Sequence, residues 1–328
     1  MAQVPRSRVI TWSPSVTLVP TQQCFNACSY CHFKQPIPVR PNGAGRGESA
    51  DWFTNGQATE QLQRRPDATE VLLLSGEVAP EAPNRRAWFL RLMALSRLAL
   101  EAGRLPHTNA GPLSRHEMVA LARLNPSMGL MLEGLGPAYD RVHRQAPSKT
   151  LSTRLAQLEQ AGRLGIPFTT GLLLGLGETP QQRIEALELL ALLHRQWGHI
   201  QEVILQPWHP EADAAGPLPI DELLETIAAA REILPPAVHL QLPPNLWPRD
   251  HLPAALEAGI DDLGGIDCTD VINPSWPQPS LVELRAELAA AGWFLQPRAC
   301  VHETWIPLLP KRLQGPVRRV QRQLLTAG

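Results

Sequence analysis

The sequence is poor in several features that would point to a particular class of protein. No apolar run approaches the length of a membrane span. Its 30 basic and 31 acidic side chains nearly cancel, so the net charge is -1 and there is no excess of positive charge to attract nucleic acid or an anionic membrane. Only Lys34, Lys149 and Lys311 are lysines, a shortage that we attribute to coding bias. These absences argue against membrane and nucleic-acid partners.

The cysteines do not form a disulfide framework. There are five, an odd number, and Cys268 and Cys300 stand alone in the sequence. Residues 1–10 also lack the apolar core of a secretion signal. We therefore expect a reducing, cytoplasmic location.

The other three cysteines, Cys24, Cys28 and Cys31, form a compact group with the spacing Cys-x3-Cys-x2-Cys. A 4Fe–4S cluster usually takes four thiolates, one for each iron. Three thiolates in one loop would hold three irons and leave the fourth open to a small molecule. The spacing therefore predicts an enzyme with a 4Fe–4S cluster at these residues.

Two other kinds of site could use the same cysteines. Cys28, Cys31 and His32 match the Cys-x-x-Cys-His pattern of covalent haem attachment, but such attachment requires export and gives Cys24 no role. The three cysteines with His32 could bind zinc, although structural zinc sites usually draw their ligands from two separated pairs. A non-catalytic zinc or electron-transfer protein is the alternative that these residues leave open.

Short apolar runs alternate with amphipathic helical stretches along most of the chain, which is the pattern of a parallel βα fold. Eight such units predict the α/β class and a single (βα)8-type TIM barrel, with its active site at the C-terminal ends of the strands. We expect the barrel over residues 14–310, an N-terminal extension over 1–13 and a basic C-terminal tail over 311–328. The predicted strands are 16–19, 71–74, a third ending at 109, 128–132, 168–174, 203–206, 239–242 and 263–266. The main predicted helices are 55–65, 85–102, 151–164, 181–197 and 221–233.

The cysteine loop resembles that of the radical S-adenosylmethionine (SAM) superfamily, in which an aromatic residue, here Tyr30, precedes the last cysteine. The resemblance implies a radical SAM barrel with two cofactors, the 4Fe–4S cluster and SAM. In that superfamily the open iron chelates SAM, and reductive cleavage releases a 5′-deoxyadenosyl radical.

Further segments at strand ends match the same superfamily. The Ser-Gly-Glu tripeptide at 75–77 would face the ammonium group of SAM, although it is also an ordinary turn sequence. Segment 171–178 would lie against adenine, and Arg154 would pair with the SAM carboxylate or be a surface arginine. Glu133 would bind ribose or substrate, or be a solvated loop residue. The predicted cofactor-binding residues are Tyr30, Ser75, Gly76, Glu77, Glu133, Arg154, Gly171, Leu173, Gly175 and Glu178.

Longer segments narrow the resemblance to the CofG-type family of FO synthases, FO being 7,8-didemethyl-8-hydroxy-5-deazariboflavin. These segments are 105–109, 127–133, 146–150, 259–266 and 271–274. The family implies a radical SAM lyase that takes an adduct of tyrosine with 5-amino-6-(ribitylamino)uracil, abstracts a hydrogen and closes the ring with loss of ammonia. It also implies a CofH-type partner enzyme, which makes the adduct, and a flavodoxin- or ferredoxin-like reductant.

The substrate contacts are predicted from polar residues at strand ends. Six such residues could meet at the barrel mouth: His107, Asn109, Gln206, Asn245, Asp262 and Asp267. Each of them alone is equally compatible with a structural role; His107, for instance, could be a satisfied core histidine. The sequence after strands six and eight departs from the family pattern. A biotin-synthase-like or menaquinone-pathway radical SAM enzyme, or a relative with another aromatic or uracil-derived substrate, is therefore the alternative function.

Overall fold

The computed structural model describes residues 8–37, 52–209 and 218–327. Eight parallel strands form a closed barrel, in which each strand pairs with the next and β1 pairs with both β2 and β8. The predicted TIM barrel is confirmed. The strands are β1 (Val9–Leu18), β2 (Glu70–Leu74), β3 (Leu105–Asn109), β4 (Ser127–Gly129), β5 (Phe168–Leu174), β6 (Ile200–Pro207), β7 (His239–Gln241) and β8 (Asp262–Ile266).

Helices surround the barrel, and all five of the main predicted helices are present to within one residue at each end. Thr54, Ser114 and Thr179 begin their helices with capping boxes, in which the side chain and the third helical residue satisfy each other's backbone N–H groups. No helix in the described part of the chain is both long and apolar enough to cross a membrane. The helices are α1 (Asn55–Arg64), α2 (Arg85–Glu101), α3 (Arg115–Ala122), α4 (Pro137–Val142), α5 (Leu151–Arg163), α6 (Pro180–Trp197), α7 (Ile220–Ile233), α8 (Leu252–Ala258), α9 (Leu281–Ala290) and α10 (Lys311–Ala327).

The main core lies between the strands and this ring of helices. On α2 the fully buried side chains Trp88, Leu92 and Leu95 recur at intervals of three and four, so they form one face that packs on the barrel. The strands contribute buried aliphatic residues such as Leu73 and Val203 to the same core. Burial of this face anchors the helix against the strands.

A ninth strand and the last helix belong to the N-terminal end of the barrel. Strand β9 (Phe294–Pro297) pairs with Val9–Trp12 of β1, so β1 begins inside the segment predicted as an extension. In α10 the side chains of Leu313, Val317 and Val320 are buried in a second apolar cluster. The predicted tail is therefore a docked amphipathic helix with its arginines on the exposed side.

The segment after β9 closes the barrel floor through a buried ionic group. Arg298 binds Asp262 at 2.5 Å and Glu202 at 2.5 Å, and His302 binds Glu202 at 2.6 Å. Asp262 is the first residue of β8, so the expectation that it reaches the mouth is wrong: its carboxylate neutralises Arg298 at the opposite end of the barrel. Glu202, Asp262 and His302 place possible metal ligands within 4.8 Å of one another. The Arg298 guanidinium, however, already supplies the positive charge between the two carboxylates.

This floor predicts a clear stability difference between two arginine variants. Arg298→Met would leave two buried carboxylates without their cation, and we expect it to lower the free energy of unfolding by about 3–5 kcal/mol. The matched control, Arg249→Met, removes an exposed pair with Glu287 and should cost about 0–1 kcal/mol. Urea titrations of both proteins measure the difference. Equal midpoints would show that the buried group does not stabilise the floor.

Candidate active site

The cysteine loop follows β1 and is fastened to the turn after β2. The N–H of Gly76 donates to the carbonyl of Thr21 at 2.7 Å, and the N–H of Phe25 donates to the carbonyl of Glu77 at 3.0 Å. Gly76 has no side chain, and a Cβ at this position would overlap the carbonyl of Gln23. The small residue in the Ser-Gly-Glu turn is therefore required for the close approach of the loop.

The three cysteines suit a cluster better than a single metal ion. Cys28 is buried, whereas Cys24 and Cys31 are partly exposed. Among the described residues, only the ionic group at the barrel floor places three candidate ligand atoms within 4.8 Å of one another, so the three sulfurs do not converge as zinc ligands do. A four-iron cluster binds each thiolate on a separate iron and spreads its ligands apart.

The pKa values of the thiols reflect their surroundings. Burial raises the pKa of Cys28 to about 11. Burial and the nearby Glu77 carboxylate also raise the pKa of Cys24. Metal ligation favours the thiolate form, so loading this loop with iron is expected to release protons.

Beside the cysteines lies a set of four charges, the buried Glu77, Glu133 and Arg154 and the partly buried Lys149, which we call the ion quartet. Arg154 binds Glu77 at 2.7 Å and lies 3.9 Å from Glu133. Lys149 pairs with Glu133 and lies 3.8 Å from Glu77. With two carboxylates and two cations, the quartet has no net charge.

The pKa shifts agree with this pairing. Burial alone would raise the pKa of Glu133, but the charge of Lys149 and the bond to His143 outweigh it and hold this pKa well below its usual value. Burial likewise opposes ionisation of Glu77, yet Arg154 and Lys149 keep its pKa low. All four groups are therefore ionised at neutral pH.

The backbone at Glu133 holds its side chain in this position. Glu133 has φ of 76°, an uncommon conformation for a residue with a side chain. Its N–H donates to the carbonyl of Gly171 at 3.0 Å, and its carbonyl accepts from the N–H of Leu173 at 2.8 Å. The hydroxyl of Tyr30 donates to its carboxylate. Glu133 is therefore a fixed, buried residue and not a solvated loop glutamate.

A cavity lies over the cysteines and the quartet, and we call it the cysteine cavity. It is lined by most of the predicted cofactor residues: Tyr30, Ser75, Gly76, Glu77, Glu133, Arg154 and Leu173. Gly171, Gly175 and Glu178 lie outside this lining. The Glu178 carboxylate instead accepts from the N–H groups of Gly175 at 2.8 Å and Leu176 at 2.9 Å, and so stabilises the glycine-rich turn.

A second cavity, the barrel cavity, runs from the mouth into the interior of the barrel. Of the residues predicted to contact substrate, it is lined by His107, Asn109, Gln206, Asn245 and Asp267. The two cavities share a wall made by Leu74, Asn109, Met131, Gln206 and Ile272. A molecule in the barrel cavity would therefore lie directly beside one in the cysteine cavity.

Two of the predicted substrate residues are already bound to other protein groups. Asp267 pairs with Arg65 and accepts from the N–H of Thr17 at 2.7 Å. Asn245 donates to Asp270 at 2.8 Å and to the carbonyl of Trp276 at 3.0 Å, while its side-chain oxygen is buried without a partner among the described residues. Asp267 thus orders the mouth, and Asn245 keeps an acceptor for a ligand.

The sequence did not reveal Lys149 or Asn26 as site residues. Asn26, between the first two cysteines, donates to Glu77 at 3.0 Å and to Ser148 at 2.7 Å. Lys149 ends the short 3-10 turn Pro147–Lys149 that precedes α5. The signal that could have found Lys149 is its place in segment 146–150, next to the helix of Arg154.

Comparisons with known proteins agree with this geometry. Residues 18–190 match the model of the Radical SAM superfamily. The chain is 51% identical to a 7,8-didemethyl-8-hydroxy-5-deazariboflavin synthase of Synechococcus elongatus, over 95% of this chain and 92% of that protein. It is 48% identical to a synthase of the same name from Thermosynechococcus vestitus, over 95% of this chain and 98% of that protein.

A comparison with solved structures supports the fold of this chain, but not its function. Methylornithine synthase (PylB) superposes with a TM-score of 0.65 at 13% identity, covering 88% of this chain and 84% of that one.

The contact at Gly76 predicts that a single methyl group disturbs the cysteine loop. We expect Gly76→Ala to displace residues 22–23, to cost about 1–3 kcal/mol through overpacking, and to lower the iron and sulfide bound per chain. The control is Gly56→Ala on α1, where the nearest atom to a new Cβ is Thr54 Oγ1 at 3.8 Å. Iron and sulfide analysis after anaerobic reconstitution measures the effect. Full cluster content in Gly76→Ala would show that the cysteine loop does not need a glycine at this contact.

Proposed function

Because the chain belongs to the radical SAM superfamily and, within it, to the family of 7,8-didemethyl-8-hydroxy-5-deazariboflavin (FO) synthases, we propose that it forms FO from the tyrosine–5-amino-6-(ribitylamino)uracil adduct. The reaction removes a hydrogen from the adduct and closes the deazaflavin ring with loss of ammonia. The observation that supports the proposal is the wall shared by the two cavities, because an adduct in the barrel cavity would lie beside cofactors in the cysteine cavity.

The cofactors are a 4Fe–4S cluster and SAM, and when bound they supply a 5′-deoxyadenosyl radical. Cys24, Cys28 and Cys31 would hold three irons of the cluster. The carboxylate of Glu77 would receive the SAM ammonium, and the cations Arg154 and Lys149 would receive its carboxylate.

The charge of the ion quartet suits this role. The amino-acid end of SAM carries one ammonium and one carboxylate, so it adds no net charge to the two carboxylates and two cations already present. Each charged group of the ligand also finds a partner of opposite sign in a buried site, which is the condition for burying it.

The side chains of the shared wall would keep water away from the reacting carbon and orient the adduct. Leu74, Met131 and Ile272 give the wall an apolar part, which limits water near the reacting carbon. Asn109 and Gln206 add amide groups to the wall, which would orient the adduct by hydrogen bonds.

The proposal includes partners and a location. A CofH-type enzyme would make the adduct, a flavodoxin- or ferredoxin-like protein would deliver electrons to the cluster, and both would meet this chain in the cytoplasm. An oxygen-sensitive cluster with cysteine ligands is consistent with a reducing compartment.

The test is an anaerobic reaction of the reconstituted enzyme with SAM, a reductant and the purified adduct. We expect 5′-deoxyadenosine together with a fluorescent deazaflavin. Both should be lost in Cys28→Ala and retained in Cys268→Ala, which removes an exposed thiol that lines neither cavity. Deoxyadenosine without deazaflavin would refute the substrate and keep the radical chemistry. Absence of both from a fully reconstituted wild-type enzyme would refute the function.

Lys149 provides a separate prediction about SAM binding. Lys149→Met removes one of the two cations offered to the SAM carboxylate, and we expect the dissociation constant of SAM to rise about 10- to 100-fold. Lys311→Met, on the exposed side of α10, is the control and should bind SAM like the wild type. Equilibrium binding to the cluster-loaded enzyme measures both. Unchanged affinity in Lys149→Met would remove this residue from the SAM site.

A further inference from the structure

The barrel cavity has two chemically different ends. Its upper part is lined by six amide side chains, which stand near or beyond the ends of strands: Asn109, Gln206, Gln241, Asn245, Asn273 and Gln278. Its floor is lined by ionisable and hydroxyl groups: Glu70, His107, Thr169 and Glu202 from the first to third positions of their strands, and Arg298 from the segment after β9. Amides pair with the alternating donors and acceptors of a uracil ring, whereas carboxyl groups accept from hydroxyls.

Part of the floor is already saturated by protein contacts. Glu202 accepts from Thr169 at 2.8 Å and binds both His302 and Arg298. The guanidinium of Arg298 is divided between Glu202 and Asp262. These groups define the shape and charge of the floor, but their strongest bonds are directed to one another.

Glu70 and His107 are the floor groups that remain open to a ligand. Glu70 begins β2, lines the cavity and is 6% exposed, and burial raises its pKa to about 7, against the pull of Arg298. His107 faces Ser127 through Nδ1 at 2.7 Å, which leaves Nε2 for the cavity, and burial lowers its pKa to about 4. A carboxyl group near its pKa can both donate and accept, and a neutral imidazole can do one of the two at each nitrogen.

The charge of the floor excludes an anion. Glu202 and Asp262 carry two negative charges and Arg298 carries one positive charge, while burial lowers the pKa of both His107 and His302, so both are neutral at pH 7. Any ionised fraction of Glu70 adds to the negative excess. A ligand group with hydroxyl donors and no charge suits these surroundings, and a phosphate, with a charge of about -1.5 to -2 near neutral pH, does not.

We propose that the barrel floor, through Glu70 and His107, binds the ribityl chain of the adduct, and that it selects the free polyol against its 5′-phosphate. The uracil ring then lies among the amides above, and the reacting carbon lies at the wall shared with the cysteine cavity. This inference rests on the proposed function, because it assigns the two ends of that substrate.

The first experiment compares three adducts on the wild-type enzyme: one with the ribityl chain, one with the 5′-phosphoribityl chain and one with a methyl group in place of the chain. We expect kcat/KM for deazaflavin formation to be about 100-fold or more lower for the phosphorylated adduct, because like charges meet in a buried site. The methyl adduct should have a raised KM with a smaller change in kcat. Similar kcat/KM values for the ribityl and phosphoribityl adducts would overturn the proposal.

The second experiment assigns the effect to Glu70. Glu70→Leu removes the carboxyl group at similar volume, and we expect it to raise the KM of the ribityl adduct about 10- to 100-fold while leaving the KM of the methyl adduct unchanged. Glu60→Leu, an exposed residue of α1, is the matched control. An equal rise for both adducts would mean that Glu70 has only a structural role.

These outcomes are distinct from failure of the proposed function. Cluster content and SAM cleavage report the radical machinery without any adduct, so they show whether each variant is intact. If the intact wild-type enzyme converts none of the three adducts, FO formation itself is refuted. If it converts all three equally, FO formation stands and the polyol floor is refuted.

Discussion

The ion quartet is the interaction on which the rest of the site depends. Glu77 follows β2, whereas Glu133, Lys149 and Arg154 all lie in the connection between β4 and β5, and Arg154 and Glu133 are almost completely buried. A buried ion pair is stable only while its partners are in place, because removal of one leaves an uncompensated charge. The cysteine loop is attached to the same group, since Asn26 and Phe25 both bond to Glu77. The position of the thiols relative to the quartet is therefore set by charge pairing as well as by the barrel.

The barrel has a second buried ionic group at its floor, and the two groups differ in net charge. The quartet is neutral, whereas Arg298 faces two carboxylates and a third carboxyl group, Glu70, lies nearby. A neutral set of opposite charges accommodates a zwitterion, and a set with excess acceptors accommodates a neutral donor such as a polyol. The two groups line different cavities that share one wall, and the proposed substrate follows that order, with the reacting carbon at the shared wall and the ribityl chain at the floor.

Most of the barrel and the cluster loop could be predicted from the sequence, because they depend on local pattern. Apolar runs identify the strands, and the three cysteines lie within eight residues of one another. The rest depends on pairing between distant segments. Segment 146–150, which contains Lys149, contributes to the family resemblance, but the sequence does not show that Lys149 pairs with Glu133. Asp262 was placed at the wrong end of the barrel, since its neutralisation by Arg298 from a segment 36 residues away leaves no local pattern. Glu70 begins a strand, where a glutamate is usually solvated, but it is 6% exposed and lines the same cavity as Arg298 from the segment after β9.

The comparison with a distant solved structure shows where specificity must be sought. Methylornithine synthase shares the barrel at 13% identity, so the fold alone says nothing about which substrate this chain takes. We propose that the thiols and the quartet bind the cofactors, which a radical SAM enzyme needs whatever its substrate. What remains free to distinguish substrates is the lining of the barrel cavity, from the amides near the mouth to the floor closed by residues after β9. The floor is formed partly by a segment outside the eight βα units, so its charge can change without altering the strands that carry the cofactor site. We therefore assign substrate choice to the barrel cavity and radical chemistry to the cysteine cavity. The two cavities meet at the wall that they share.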